Sequence, residues 1–190
     1  MEKEDLYRRT VASWTDRLLT VGPEQWAQPT PCLEWDVRAL VNHVVGEDLW
    51  TEPLVQGATI QEVGDRLDGD LLGSDPRETA LDAAERASRA VAEAFPRREK
   101  VHLSYGDEEL EEYVAQLAAD HLVHGWDLAV ATGGDPVLDE DLVADVAAWF
   151  AEREDVYRSA GAIGARAAAP DDAQSQLLAA FGRDPAWTGR

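Results

Sequence analysis

Apolar residues recur along this chain at steps of three and four positions, the spacing that places side chains on one face of an α-helix. The first such stripe comprises Tyr7, Val11, Trp14, Leu18 and Val21. The same periodicity predicts four long helices over residues 6–21, 36–50, 76–95 and 108–132, a fifth helix over residues 139–150 and a short one over residues 173–181.

Local signals mark where these helices begin and end. Asp36 and Asp75 are suited to cap helix N-termini, and Pro76 with Glu78 completes the second of these starts. Gly133 follows the last apolar residues of the fourth helix, a position where glycine commonly ends a helix. The stripes are therefore separate amphipathic helices, which pack by burying their apolar faces against one another.

Only one segment has the pattern of an extended strand. Val101, Leu103 and Tyr105 alternate with polar residues, and we expect the intervening His102 to face solvent. Residues 56–76 are rich in Gly and Asp and predict a long surface loop.

The predicted elements define the fold class. Four long amphipathic helices and at most one short extended segment predict an all-α protein, most simply a four-helix bundle with additional C-terminal helices. We assign residues 1–135 to the bundle and residues 136–190 to a helical extension packed on the same domain.

Composition changes the picture mainly through charge. The 190 residues include 38 Asp and Glu but only 17 Lys and Arg, which gives a formal net charge of −21. Such a surface repels phosphate backbones and anionic lipids, so we expect no nucleic-acid or membrane partner. The charged N-terminus does not resemble a signal peptide. Cys32 is the only cysteine, which excludes an internal disulfide and predicts a cytoplasmic protein.

Polar residues on the helix faces are the candidates for chemistry. Asp120 and His124 are four positions apart, so both side chains can reach one cation. His43, at the edge of the second stripe, is the candidate third ligand, because facing helices of a bundle direct such side chains inward. His121, three residues before His124, fits the spacing equally well. Spacing alone leaves the choice between Asp120 and His121 open.

Further residues are candidates for the surroundings of this site. Asp127 could orient a histidine ligand through a hydrogen bond, or it could equally be a solvated surface acid. Glu47 is an extra ligand, a general base or a polar residue at the mouth of a pocket. Trp50 and Trp126 lie close in sequence to the candidate ligands and could line that pocket. Cys32 is more simply a small buried hydrophobe than a nucleophile, since no basic residue near it in sequence would activate it.

Two segments of the chain resemble signatures of the DinB-like metal proteins: TPCLEWDVRALVNHVVG (residues 30–46) and DHLVHGWDLAVATG (residues 120–133). More narrowly, they resemble the N-terminal domain of mycothiol-dependent maleylpyruvate isomerase and its stand-alone actinobacterial relatives, as does the tail segment LLAAFGRDPAW. This resemblance implies a four-helix bundle that holds a divalent ion, zinc or nickel, between its helices. It implies the ligands His43, Asp120 and His124, and it therefore favours Asp120 over His121.

The resemblance also carries an expectation about function. Relatives with known activity are thiol-dependent transferases and isomerases, in which the metal holds the sulfur of a low-molecular-weight thiol such as mycothiol as a thiolate. By implication this chain, as a monomer or homodimer, brings such a thiol to an electrophilic small molecule, and Cys32 is not the nucleophile. The alternatives are a non-catalytic protein that binds or sequesters a small molecule in the same metal pocket, and a metal-free structural relative.

Overall fold

A computed structural model describes residues 1–97 and 99–189 of the chain. Its elements, in chain order, are α1 (Lys3–Leu19), α2 (Val37–Val55), α3 (Ile60–Val63), α4 (Pro76–Ala94), β1 (Lys100–Leu103), β2 (Gly106–Glu109), α5 (Leu110–Thr132), α6 (Glu140–Ala151), α7 (Glu154–Ser159) and α8 (Ala173–Ala180). The predicted all-α class is confirmed, since strands appear in the described part only as one short hairpin.

Four long helices form a bundle. The most extensive helix contacts join α1 to α5 and α2 to α4, and further contacts join α1 to α4 and α2 to α5. This cycle of contacts is that of a four-helix bundle. α5 is buried along most of its length, from Leu110 to Ala129, as expected for a helix enclosed on several sides. None of the helices within the described ranges is both long and apolar enough to cross a lipid bilayer.

The C-terminal segment packs onto the bundle through α6 and α8. α6 contacts both α5 and α8. Val146 and Phe150 of α6 and Leu177 of α8 share one hydrophobic cluster with Leu117 and Leu122 of α5. The core therefore continues across residue 135, and the chain beyond α8 returns to the surface of α5.

Three predicted capping residues of the bundle, Asp36, Asp75 and Gly133, are confirmed. The Asp36 side chain accepts the backbone N–H of Ala39, and the Asp75 side chain accepts that of Glu78. Each bond satisfies a donor that the first turn of a helix leaves unpaired. Gly133 ends α5 in a left-handed conformation with φ 71°, which glycine adopts without strain.

The extended segment proved to be one arm of a hairpin. β1 pairs antiparallel with β2, with Val101 opposite Glu108. β2 has the sequence Gly-Asp-Glu-Glu and no apolar alternation, so the hydrophobic pattern could not reveal it. This pairing also corrects the predicted start of α5, because the backbone of residues 106–109 is committed to the hairpin and the helix begins only at Leu110.

Helical structure also extends into segments that were predicted to be loops. α3 lies inside the predicted loop of residues 56–76 and is closed by a capping box of Thr59 and Glu62. α2 runs beyond its predicted end at Trp50 to Val55, with Pro53 in its last turn, and the added residues Leu54 and Val55 are buried.

Candidate metal centre

The structure brings the three residues favoured as metal ligands together between two helices. His43 lies on α2, and Asp120 and His124 lie one turn apart on α5. The Nε2 atom of His43 is 3.4 Å from Oδ2 of Asp120, and the Nε2 atom of His124 is 3.3 Å from Oδ1 of Asp120. One potential ligand atom from each residue lies within 4.8 Å of the other two.

These distances fit a shared cation better than direct hydrogen bonds. Good N–H···O bonds between heavy atoms span about 2.7–3.2 Å, shorter than the contacts here. Two ligands at about 2.1 Å from a tetrahedral zinc ion lie roughly 3.4 Å apart. Oδ1 of Asp120 is at a similar distance from both histidines, 3.3 Å from Nε2 of His124 and 3.5 Å from Nε2 of His43. In addition, Oδ2 of Asp120 is buried and has no hydrogen-bond partner within the described residues. The donor set of two imidazoles and one carboxylate therefore fits a divalent cation such as zinc.

Asp127 holds the imidazole of His124 from the other side. Its Oδ2 atom is 2.9 Å from Nδ1 of His124, a good hydrogen bond in which the ring N–H donates to the carboxylate. With the proton fixed on Nδ1, the Nε2 lone pair points toward Asp120 and His43. Burial would raise the pKa of Asp127, but the hydrogen bond from His124 and the charge of Arg183 lower it below its usual range.

Arg183 is a site residue that the sequence reasoning missed. It follows α8, and its Nε and Nη2 atoms donate to the carboxylate of Asp127 at 3.0–3.1 Å. Fixed in this way, Asp127 cannot rotate away from His124. The only sequence signal for Arg183 was the tail segment that contains it. That segment resembles the family, but it does not indicate that Arg183 contacts the site.

Cys32 belongs to the same cluster, although no basic residue is near it in sequence. Its Sγ atom is 3.4 Å from Oδ2 of Asp127, and Nη2 of Arg183 donates to it at 3.1 Å. Cys32, His124 and Asp127 also lie close enough together to hold a cation. The guanidinium of Arg183 already supplies the positive charge between Cys32 and Asp127, so this second set is an ion-pair cluster rather than a second metal site.

His121, the rival ligand in the sequence, is bound into the core. Its side chain is fully buried, its Nδ1 atom is 2.8 Å from the carbonyl oxygen of Leu117, and its Nε2 atom is 3.2 Å from the carboxylate of Asp48. Its ring packs edge-on against Tyr7 and Trp14 of α1. Both ring nitrogens thus face protein groups away from His43.

Asp120 and His124 shift each other's protonation. Burial would raise the pKa of Asp120, but the adjacent charges of His124 and His43 hold it well below its usual range. Burial would lower the pKa of His124, but Asp120 and Asp127 raise it well above its usual range. A cation bound here would therefore compete with a proton for the Nε2 atom of His124.

A cavity of about 710 Å³ opens above the three residues. Glu47 lines it, and burial, with the negative charge of Asp120, raises the pKa of its carboxyl. Trp35 stands beside the histidines, with its ring centroid 4.8 Å from that of His43 and 5.8 Å from that of His124. Sequence reasoning missed Trp35 because it precedes the N-cap of α2 and belongs to no helical stripe.

The two tryptophans proposed for the pocket wall lie elsewhere in the structure. Trp126 is two residues beyond His124, about 200° around the helix, and is buried in the core. Trp50 is on the face of His43 but two turns further along α2, where it packs on the same core. Neither lines the cavity, which corrects that expectation.

Replacing Asp127 by asparagine tests its hold on His124. We expect Asp127→Asn to weaken zinc binding by about 10- to 100-fold, because a neutral amide no longer favours the Nδ1–H form of the ring or pairs with Arg183. Competition against a chromophoric chelator measures the affinity. The matched control is Asp107→Asn, which alters a carboxylate 2.6 Å from Nδ1 of His102 on the hairpin. Equal affinities of Asp127→Asn and the parent would contradict the positioning role.

With the geometry established, comparison with known proteins gives the family context. Residues 7–129 match the family model described as the mycothiol maleylpyruvate isomerase N-terminal domain. Uncharacterized proteins from two strains of Mycobacterium tuberculosis, CDC 1551 and H37Rv, are each 29% identical over 144 residues, which cover 73% of this chain and 72% of theirs. No solved structure shows a significant match. The matched range contains His43, Asp120 and His124, whereas Arg183 lies beyond it.

Proposed function

The chain belongs to the mycothiol maleylpyruvate isomerase N-terminal domain family, and from this premise we propose that it binds a divalent metal ion that activates a small thiol for attack on an electrophile. The convergence of His43, Asp120 and His124 at the floor of a cavity carries this proposal. Two histidines and one carboxylate are a ligand set of catalytic zinc sites, which keep a further position for a small ligand.

In the proposed reaction the metal ion activates the thiol, and the protein residues position the metal ligands and shield the nucleophile. A divalent ion, zinc or nickel, lowers the pKa of a thiol that binds to it and so supplies a thiolate at neutral pH. Asp127 orients His124, and Arg183 orients Asp127. The aromatic side chains around the cavity exclude water from the nucleophile.

Cys32 is not the proposed nucleophile. Its Sγ atom contacts both Asp127 and Arg183, so the thiol is part of the support behind His124. The sulfur that reacts in this proposal belongs to a low-molecular-weight thiol, mycothiol in the first instance, which enters through the cavity.

Cobalt substitution tests the proposal directly. We expect the Co²⁺-loaded protein to develop a thiolate-to-cobalt charge-transfer band when mycothiol is added, because the thiol sulfur becomes a ligand. Cys32→Ser should keep the band, since the sulfur comes from the added thiol, and Asp120→Ala should lose it. Absence of the band in the parent protein would overturn the proposal. A band without turnover of any electrophile would instead favour a protein that binds or sequesters small molecules.

A further inference from the structure

The cavity wall around the three candidate ligands includes several aromatic side chains. Five aromatic side chains line it: Trp35, Tyr113, Trp149, Tyr157 and Phe181. Trp35 stands beside both histidines of the site, with its ring centroid 4.8 Å from that of His43 and 5.8 Å from that of His124. A flat apolar group that reaches the ligands can therefore bury its surface against aromatic rings, which is favourable.

The cavity offers no free positive side chain among the described residues that line it. Arg183 is the one Lys or Arg in this lining, and its side chain is only 16% exposed. Nε and Nη2 donate to Asp127, Nη1 donates to the carbonyl of Phe181, and Nη2 also donates to Cys32. All three nitrogens and the positive charge are therefore committed to protein groups.

Negative groups face the same space. Besides the candidate ligand Asp120, two carboxylates line the cavity, those of Glu34 and Glu47. An anionic ligand would lose its hydration and approach these carboxylates without a counter-ion, which is costly. The charge of a divalent ion at the site would be balanced by Asp120 and by the thiolate of the proposed function, so it would not offset this repulsion.

We propose that the electrophile this cavity takes is an uncharged molecule with a flat apolar group, and that carboxylate-bearing electrophiles are rejected. This inference rests on the proposed function for the identity of the nucleophile. With a benzylic chloride, for example, the thiol sulfur forms a bond to the benzylic carbon. The carbon–chlorine bond breaks, chloride leaves with the bonding electrons, and the thiol proton passes to water.

Ligand binding tests the charge preference without any catalysis. The probes are 4-nitrobenzamide and 4-nitrobenzoate, which share a shape and differ by one charge. They are added to the zinc-loaded protein saturated with mycothiol, so that the thiolate and not the benzoate carboxylate occupies the open position of the ion. We expect the amide to quench tryptophan fluorescence with a dissociation constant at least about tenfold lower than that of the benzoate, because only the benzoate meets uncompensated like charge. Equal constants, tighter binding of the benzoate, or quenching by neither compound would overturn the inference.

A matched pair of variants ties this preference to the cavity. Gln116 lines the cavity and donates to the hydroxyl of Tyr105 at the surface. Gln116→Arg adds a cation and should reduce the preference for the amide by about tenfold, whereas the uncharged Gln116→Met should keep it. An unchanged preference in Gln116→Arg would contradict the electrostatic argument.

Turnover then separates this inference from the proposed function. For each substrate, the rate with the zinc-loaded protein and mycothiol is divided by the rate of the uncatalysed reaction. This ratio should be higher for 4-(chloromethyl)benzamide than for 4-(chloromethyl)benzoate. Preference for the benzoate would overturn the inference. Loss of turnover with both would count against the proposed function alone, because the quenching ratio decides the substrate class independently.

Discussion

Substitution of His43 or His124 by alanine is expected to abolish stoichiometric zinc binding. Each imidazole supplies one of the three candidate ligand atoms that lie within 4.8 Å of one another. Loss of an orienting partner alone costs about 10- to 100-fold in metal affinity, so loss of a ligand should cost at least about a hundredfold. Metal analysis of the purified, zinc-reconstituted proteins and chelator competition measure the effect.

The control for this prediction is His102→Ala. His102 lies on the exposed hairpin, paired with Asp107, and its removal should leave zinc stoichiometry at the parent value. Affinity of the parent should also rise with pH, because the pKa of His124 is raised and its proton competes with the metal until it is lost. If His43→Ala and His124→Ala bind zinc as tightly as the parent does, the assignment of these histidines as metal ligands is wrong.

The helices and their ends could be predicted because their causes are local. Three- and four-residue apolar spacing places one face of each helix in the core, and Asp36 and Asp75 cap the helices they precede. The second strand of the hairpin could not be predicted in this way, because the residues of β2 are all polar or glycine and only the pairing with β1 makes them extended.

The residues of the candidate site likewise differ in whether their positions have local causes. Asp120 and His124 could be paired from their spacing on one helix, but the approach of His43 depends on how α2 packs against α5. Arg183 reaches Asp127 from 56 positions further along the chain, which no local pattern encodes. Trp126 is only two residues from His124 in sequence, but it lies on a different face of the helix. It therefore points into the core and does not line the cavity.

His121 illustrates why spacing alone could not choose the ligand. It lies on the same helix as Asp120 and His124, yet its Nε2 atom faces the buried carboxylate of Asp48 on α2. The sequence offered no sign of this pair, because Asp48 and His121 are joined only by helix packing. Burial would lower the pKa of His121, but the Asp48 carboxylate, 3.2 Å from its Nε2 atom, raises the pKa above its usual range.

Breaking this pair is expected to produce the largest loss of stability in the bundle. Both side chains are fully buried, and His121→Leu leaves the Asp48 carboxylate in the core without its imidazole partner. We expect the free energy of unfolding at pH 7 to fall by about 3–5 kcal/mol, measured by urea denaturation, and Asp48→Leu to cost a similar amount. The double variant His121→Leu/Asp48→Leu should recover most of this loss, because well-packed apolar residues often replace a buried ion pair at little cost.

Metal content distinguishes this structural role from a role as ligand. His121→Leu should still bind one zinc ion under conditions where it remains folded, because its ring nitrogens contact Leu117 and Asp48 rather than the site. His124→Ala, by contrast, should lose the ion while the Asp48–His121 pair stays intact. A folded His121→Leu protein without zinc would make His121 the ligand. If the double variant is no more stable than the single variants, the pair contributes more to the free energy of unfolding than the neutralisation of one charge by the other.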